Sequence, residues 1–163
     1  MNSEQKQLYE AVRKWLESQG FQVLVTGGEP SIVVPVADVL PTRVHMIPDM
    51  VGIKEKDSMA AIVEVETNMD KILEVIGKCM VWKLFATLVY IAYPLEKCRK
   101  FSILEKLGLG LLGVSQQEVR EVVKIMPTQS GELFRVLELH PLDFSKQTEL
   151  IRLVKGILQT EHG

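Results

Sequence analysis

The chain has 163 residues, 47% of them hydrophobic and 25% charged, with a net charge of −2. That size suits one domain over residues 1–163 with a sizeable core, and the composition excludes intrinsic disorder. Cys79 and Cys98 form no disulfide framework, His45, His140 and His162 share no zinc-ligand spacing, and no apolar stretch is long enough to span a bilayer.

The opening MNSEQKQLYE lacks the basic start and apolar core of a signal peptide, so a cytoplasmic location is expected. Leu8, Ala11, Val12 and Trp15 recur at helical spacing, with Asn2 or Ser3 as a cap and Gly20 as a stop. A helix over about 3–19 is predicted. FQVLV then reads as a strand, and SIVVPV as an extended piece that Pro35 confines to a sheet edge or an irregular segment. HMIPDMVGI and MAAIVEVET are two extended runs joined by the polar stretch Lys54–Ser58, the pattern of a β-hairpin.

From Asp70 to Leu88 the period becomes helical, with Ile72, Val75, Ile76, Cys79, Met80 and Leu84 on the apolar face. LVYIAYP is a near-continuous apolar run ending at Pro94, as in a strand buried on both sides. LEKCRKFSILEKL predicts a basic amphipathic helix and GLGLLGV a short buried strand, while EVREVVKIM fits a strand or a helix. SGELFRVLEL and FSKQTELIRLVKGILQ read as C-terminal helices separated by His140–Pro141. The order is that of an α/β fold with a mixed sheet between helices.

The hairpin carries the residues with chemistry in them. Pro48-Asp49 stands on its first strand and Glu64-Val65-Glu66 on its second. With the turn centred on Lys56–Asp57, Asp49 falls opposite Glu64, Val51 opposite Ile62 and Ile53 opposite Ala60. Opposed residues bring their Cβ atoms to ~4.5–5.5 Å, so the two carboxylates repel unless a cation lies between them. Both are expected to face one solvent-accessible cleft. Hard oxygen ligands suit Mg²⁺ or Mn²⁺, which polarises a phosphodiester oxygen and acidifies a bound water. The Val65 carbonyl is a further candidate ligand. Alternation puts Glu66 on the face of Glu64 and leaves it three roles: ligand, proton acceptor or neither. Residues 29–70 hold eight acids against three bases, and residues 71–106 seven bases against three acids. A metal site beside a phosphate-binding surface would have that polarity, and so would an unevenly charged solvated surface.

With IPDMVGI on one strand and IVEVETN on the next, followed by KILEVIGKCMVWKLFATLVYIAYP, residues 3–114 resemble the PD-(D/E)XK nuclease-like (restriction-endonuclease-like) superfamily. The resemblance implies an αβββαβ core with a mixed central sheet, here with added C-terminal helices. It also implies a divalent-metal-dependent nuclease acting on DNA, with Asp49 and Glu64 holding the ion. Where that superfamily usually has lysine, this chain has Glu66. Lys71 and Lys78 on the following helix are the candidates to supply the cation, whereas alternation places Lys54 on the opposite face from Asp49. Glu10 on the first helix is a candidate distant acidic ligand. The replaced lysine also fits a rival reading, a non-catalytic module of the same fold that binds nucleic acid or a protein partner. Two-strand cleavage would favour a homodimer. Leu133, Phe134, Leu137, Leu150, Ile151, Leu153, Val154, Ile157 and Leu158 would either face a second copy or complete the monomer core.

Overall fold

In the structure, a computed structural model, residues 3–26, 34–35, 45–99, 102–125 and 142–161 are described. The chain begins with α1 (Ser3–Ser18), which Gly20 ends in the left-handed region that glycine enters without strain (φ 91°). β1 (Gln22–Val25) follows. A two-residue antiparallel pair, β2 (Val34–Pro35) and β3 (His45–Met46), lies outside the main sheet. The hairpin strands are β4 (Met50–Lys54) and β5 (Met59–Val65). Then come α2 (Ile72–Trp82), β6 (Leu88–Pro94), α3 (Ser102–Leu107), β7 (Gly110–Val114), β8 (Val119–Val123) and α4 (Phe144–Glu161). EVREVV is thus a strand.

Six strands form one open mixed sheet in the order β1-β4-β5-β6-β7-β8. β5, β6 and β7 run parallel, joined by crossovers through α2 and α3, and the remaining neighbours are antiparallel. The α/β class with a mixed sheet flanked by helices is as expected. α1 covers one face, burying Leu8, Tyr9, Val12 and Leu16 against Met50, Val63, Tyr90 and Leu112. α2, α3 and α4 cover the other, over Val51, Ile53, Ile62, Ile91 and Leu111. β6 is therefore buried on both sides. The buried stripe of α1 is turned from the expected one: Ala11 and Trp15 stand at its flank, with Trp15 edge-on to Tyr90 at 5.5 Å. Gly110 allows that arrangement, because a Cβ there would collide with the Tyr90 ring.

The hairpin register is as expected, Val51 opposite Ile62 and Ile53 opposite Ala60. A 3₁₀ turn, Glu55–Asp57, closes it, and Ser58 takes a left-handed conformation (φ 50°) that costs a non-glycine residue roughly 1–2 kcal/mol. Gln147, 2% exposed on α4, holds this region. Its Oε1 accepts from Ala60 N–H (3.1 Å), Thr87 N–H (2.7 Å) and Thr87 Oγ1 (2.7 Å), and its Nε2 donates to Ser58 O (3.0 Å). Lys54 lies over the Phe21 ring at 4.4 Å, on the α1 side as alternation requires.

One expectation changes. The helix over LEKCRKFSILEKL does not begin at Leu95: Leu95–Lys97 is a 3₁₀ turn, Cys98 is extended, and α3 starts only at Ser102. Leu95 and Cys98 fold back against Gly113 at the end of the sheet, and that packing displaces the helical turn. The C-terminal apolar residues serve the chain's own core where they are described. Leu150, Ile151 and Val154 are buried, Ile157 and Leu158 pack against them, and Leu153 stays exposed. Leu133, Phe134 and Leu137, with the rest of SGELFRVLEL and most of SIVVPV, lie outside the described residues. Among the described residues no helix is long and apolar enough to cross a membrane.

Gln147→Leu should lower stability by about 2–4 kcal/mol, because it strands the buried Ala60 N–H and the part-buried N–H and hydroxyl of Thr87. Urea unfolding is expected to show a lower midpoint at an unchanged slope.

Candidate functional site

The site is built where β4 begins and β5 ends. Met50 pairs with Val63, so the register carried one residue further sets Asp49 opposite Glu64. Thr26, buried just past β1, fixes the backbone there: its N–H donates to Asp49 O at 3.0 Å and its hydroxyl donates to Pro48 O. The Asp49 side chain then turns toward the partner strand, where Oδ2 accepts the Val65 N–H at 2.8 Å. Across the pair, Glu64 is 5% exposed, lies within hydrogen-bonding reach of Asp49, and accepts the Trp82 Nε1–H on Oε1 at 2.6 Å.

Burial raises Glu64 from its ordinary 4.5 to about 8. The negative charge and hydrogen bond of Asp49 add to the rise; Trp82 and, more weakly, Lys78 oppose it. The rise keeps a proton on the pair to higher pH than an ordinary carboxyl would hold it, and that proton relieves the repulsion between the paired carboxyls. Two further groups sit in the same field. Burial first, then Asp49 by charge and hydrogen bond, holds the Tyr9 phenol well above its ordinary value, so Tyr9 remains a donor. Cys79, fully buried, is raised by burial and by both carboxyls and stays a neutral thiol.

Asp49, Glu64 and Val65 are thus brought together as the sequence indicates, but the open cleft is corrected: the Glu64 carboxyl lies inside the protein. β5 ends at Val65, and Glu66 Oε1 accepts the N–H groups of Thr67 (2.9 Å) and Asn68 (2.8 Å) in the following turn, while its charge acts on Tyr9 together with those of Asp49 and Glu64. Lys97 Nζ on Thr67 O (3.3 Å) and Asn68 Oδ1 on Asp70 N–H (3.0 Å) secure that turn. Lys71 is exposed at the start of α2 and makes no contact with the carboxyl pair. Lys78 is exposed and ion-paired with Glu74 at 3.5 Å, reaching Glu64 only through its charge. Glu10 is held on the surface of α1 by Arg13 (2.6 Å) and Lys14 (3.6 Å), away from the pair. Among the described residues no three His, Cys, Asp or Glu side chains gather as a metal-binding group.

Tyr9, Thr26, Cys79 and Trp82 are the site residues that sequence reasoning missed. A tryptophan in a buried helical run needs an acceptor for its N–H, the one signal that pointed to a polar partner beneath α2. A groove of about 1000 Å³ runs on the other side of α1, between that helix and the β7–β8 turn, past Trp15, Val114 and Glu118. Neither Asp49 nor Glu64 lines it.

No protein-family model matches the chain, and no curated protein matches it in sequence. Among solved structures, a protein of unknown function from Silicibacter pomeroyi is similar over 98% of this chain and 94% of its own. The TM-score is 0.51 and the sequence identity 15%. At that identity the likeness concerns the arrangement of the elements.

The Glu64 proton sets a pH dependence. Between its ordinary value and about 8 the folded chain keeps a proton that the unfolded chain has released. This contribution to stability is therefore complete below about 4.5 and is lost as pH rises through about 8, at up to ~1.4 kcal/mol per pH unit. Glu64→Gln, which needs no proton, should flatten the fall in melting temperature between pH 5 and 8. An equal slope in wild type and variant would place the effect elsewhere.

Proposed function

We propose that the chain is a divalent-metal-dependent phosphodiesterase of the restriction-endonuclease-like class, acting on nucleic acid and on DNA first. Asp49 and Glu64 are its ligand pair for Mg²⁺ or Mn²⁺. The observation that carries the reading is the pairing itself: two carboxyls just beyond the last β4–β5 pair, within hydrogen-bonding reach of each other at one end of a sheet, one of them buried. The element order supports it, since α1, the antiparallel β1, β4 and β5, then α2 and the parallel β6 make up an αβββαβ sequence of elements.

The donor set fits the ion. Mg²⁺ is commonly held by one or two carboxylates together with waters and substrate phosphates. When bound, the ion would polarise a phosphodiester oxygen and acidify a coordinated water. The chain's own residues prepare the place. Thr26 fixes the backbone carrying Asp49, the Val65 N–H orients the Asp49 carboxylate, and Glu64, losing its proton, would hold the ion with Asp49. The Val65 carbonyl completes the protein ligands. Glu66 keeps Oε1 on its turn and takes no part in proton transfer. Lys78 is the phosphate-side cation in preference to Lys71, because its charge already acts on Glu64.

A second reading, the non-catalytic module that binds nucleic acid or a protein, is favoured by one observation. The position where the resembled superfamily carries lysine holds a glutamate whose carboxylate caps the next turn.

Calorimetry with Mn²⁺ and a cleavage assay on DNA separate the two readings. Wild type should bind Mn²⁺ and cleave. Asp49→Asn and Glu64→Gln, which keep the hydrogen bonds to Val65 and Trp82, should cut only at the background rate while remaining folded. Wild type that neither binds the ion nor cleaves would leave the binding module as the reading.

A further inference from the structure

Trp82 closes α2, is wholly buried, and gives its only polar atom to Glu64. An indole N–H donates and never accepts, so it serves a carboxyl oxygen whether or not the group carries a proton. A backbone carbonyl would have satisfied it equally well, yet its partner is the carboxyl assigned to the ion. The indole is itself immobile. It packs in the core with Val75 and Cys79 on the same helix and stands edge-on to Phe85, with ring centres 6.0 Å apart at 74°. A glutamate left alone loses rotamer freedom whenever it is fixed, and a rigid donor removes that loss in advance.

Resting on the reading of Asp49 and Glu64 as metal ligands, we propose that Trp82 is the positioning residue of the site: its N–H anchors Glu64 Oε1 and leaves Oε2 to meet the cation. Glu64 then binds through a single oxygen, and cation binding is felt at the indole. Outer hydrogen-bond partners of this type change metal affinity by about 10–100-fold.

The test uses the full chain with the metal alone, Mn²⁺ for calorimetry and Mg²⁺ for the indole resonances. Calorimetry compares wild type, Trp82→Phe, and a chain carrying benzothienylalanine at position 82, an isostere of tryptophan that keeps the bicyclic shape without the N–H. Both altered chains should bind Mn²⁺ about 10–100-fold more weakly. In wild type, Mg²⁺ should shift the indole N–H resonance of Trp82 and leave that of Trp15 in place. If Trp82→Phe does not fold, the isostere decides alone, because a residue that merely fills space would not notice the missing N–H. Wild-type affinity in the isostere, or a stationary Trp82 resonance on saturation, overturns the positioning role and leaves the ligand pair standing. Absence of Mn²⁺ binding by wild type overturns the ligand pair and the positioning role with it.

Discussion

Two carboxyl groups within hydrogen-bonding reach, one of them cut off from water, cannot both be ionised without a large electrostatic cost. The region around Asp49 and Glu64 is organised by that constraint. A proton shared within the pair is one solution, and the cation proposed between the groups would be another. Val65 and Trp82 contribute N–H groups, which stabilise negative charge without adding a formal positive one. A buried lysine in their place would have neutralised the pair permanently and left a metal ion little to gain. Lys78 stays outside with Glu74 as its near partner, so its influence is weak.

The rest of the fold serves to bring these groups to one point. The antiparallel register sets the two carboxyls opposite each other, and the change to a parallel neighbour at β6 puts α2 across the sheet face that carries Glu64. Trp82 then arrives beneath that helix and Tyr9 comes from α1 on the other side. Asp49, at the end of the sheet, is within reach of both layers. The two carboxyls meet where β4 begins and β5 ends.

The hairpin was legible because its information is local: alternation fixes the faces, and the polar Lys54–Ser58 stretch fixes the register. The central strand β6 was legible for a similar reason, since its unbroken apolar run has no exposed face to account for. The helical contributions were not. A period of 3.6 announces a helix and its apolar side, but not its rotation over a sheet. Of the predicted stripe Leu8, Ala11, Val12 and Trp15, Leu8 and Val12 are buried, and Tyr9 and Leu16 join them in place of Ala11 and Trp15. Trp82 escaped notice because its partner lies 18 positions away on a strand whose alternation had suggested an open carboxylate. The turn partners of Glu66 were not legible either, because alternation gives the face of a side chain and not the backbone donors of the turn that follows β5. The break at Cys98 depends on Leu95 packing against Gly113, a contact between elements that no local pattern announces.

The Gln147 clamp has a consequence for the order of events during folding. The β4–β5 turn carries a left-handed serine, and the side chain that holds it lies 87 residues after Ala60 and 89 after Ser58. Contacts of such separation close late, since loop entropy must be lost before they contribute. A chain growing from the ribosome will have made its carboxyl pair, α2 and the parallel strands well before α4 emerges to lock the turn. Until then the turn is held without Gln147, and the register on which the site depends rests on β4, β5 and the strands paired beside them, so a slipped hairpin, with its carboxylates on the wrong face, can still correct itself.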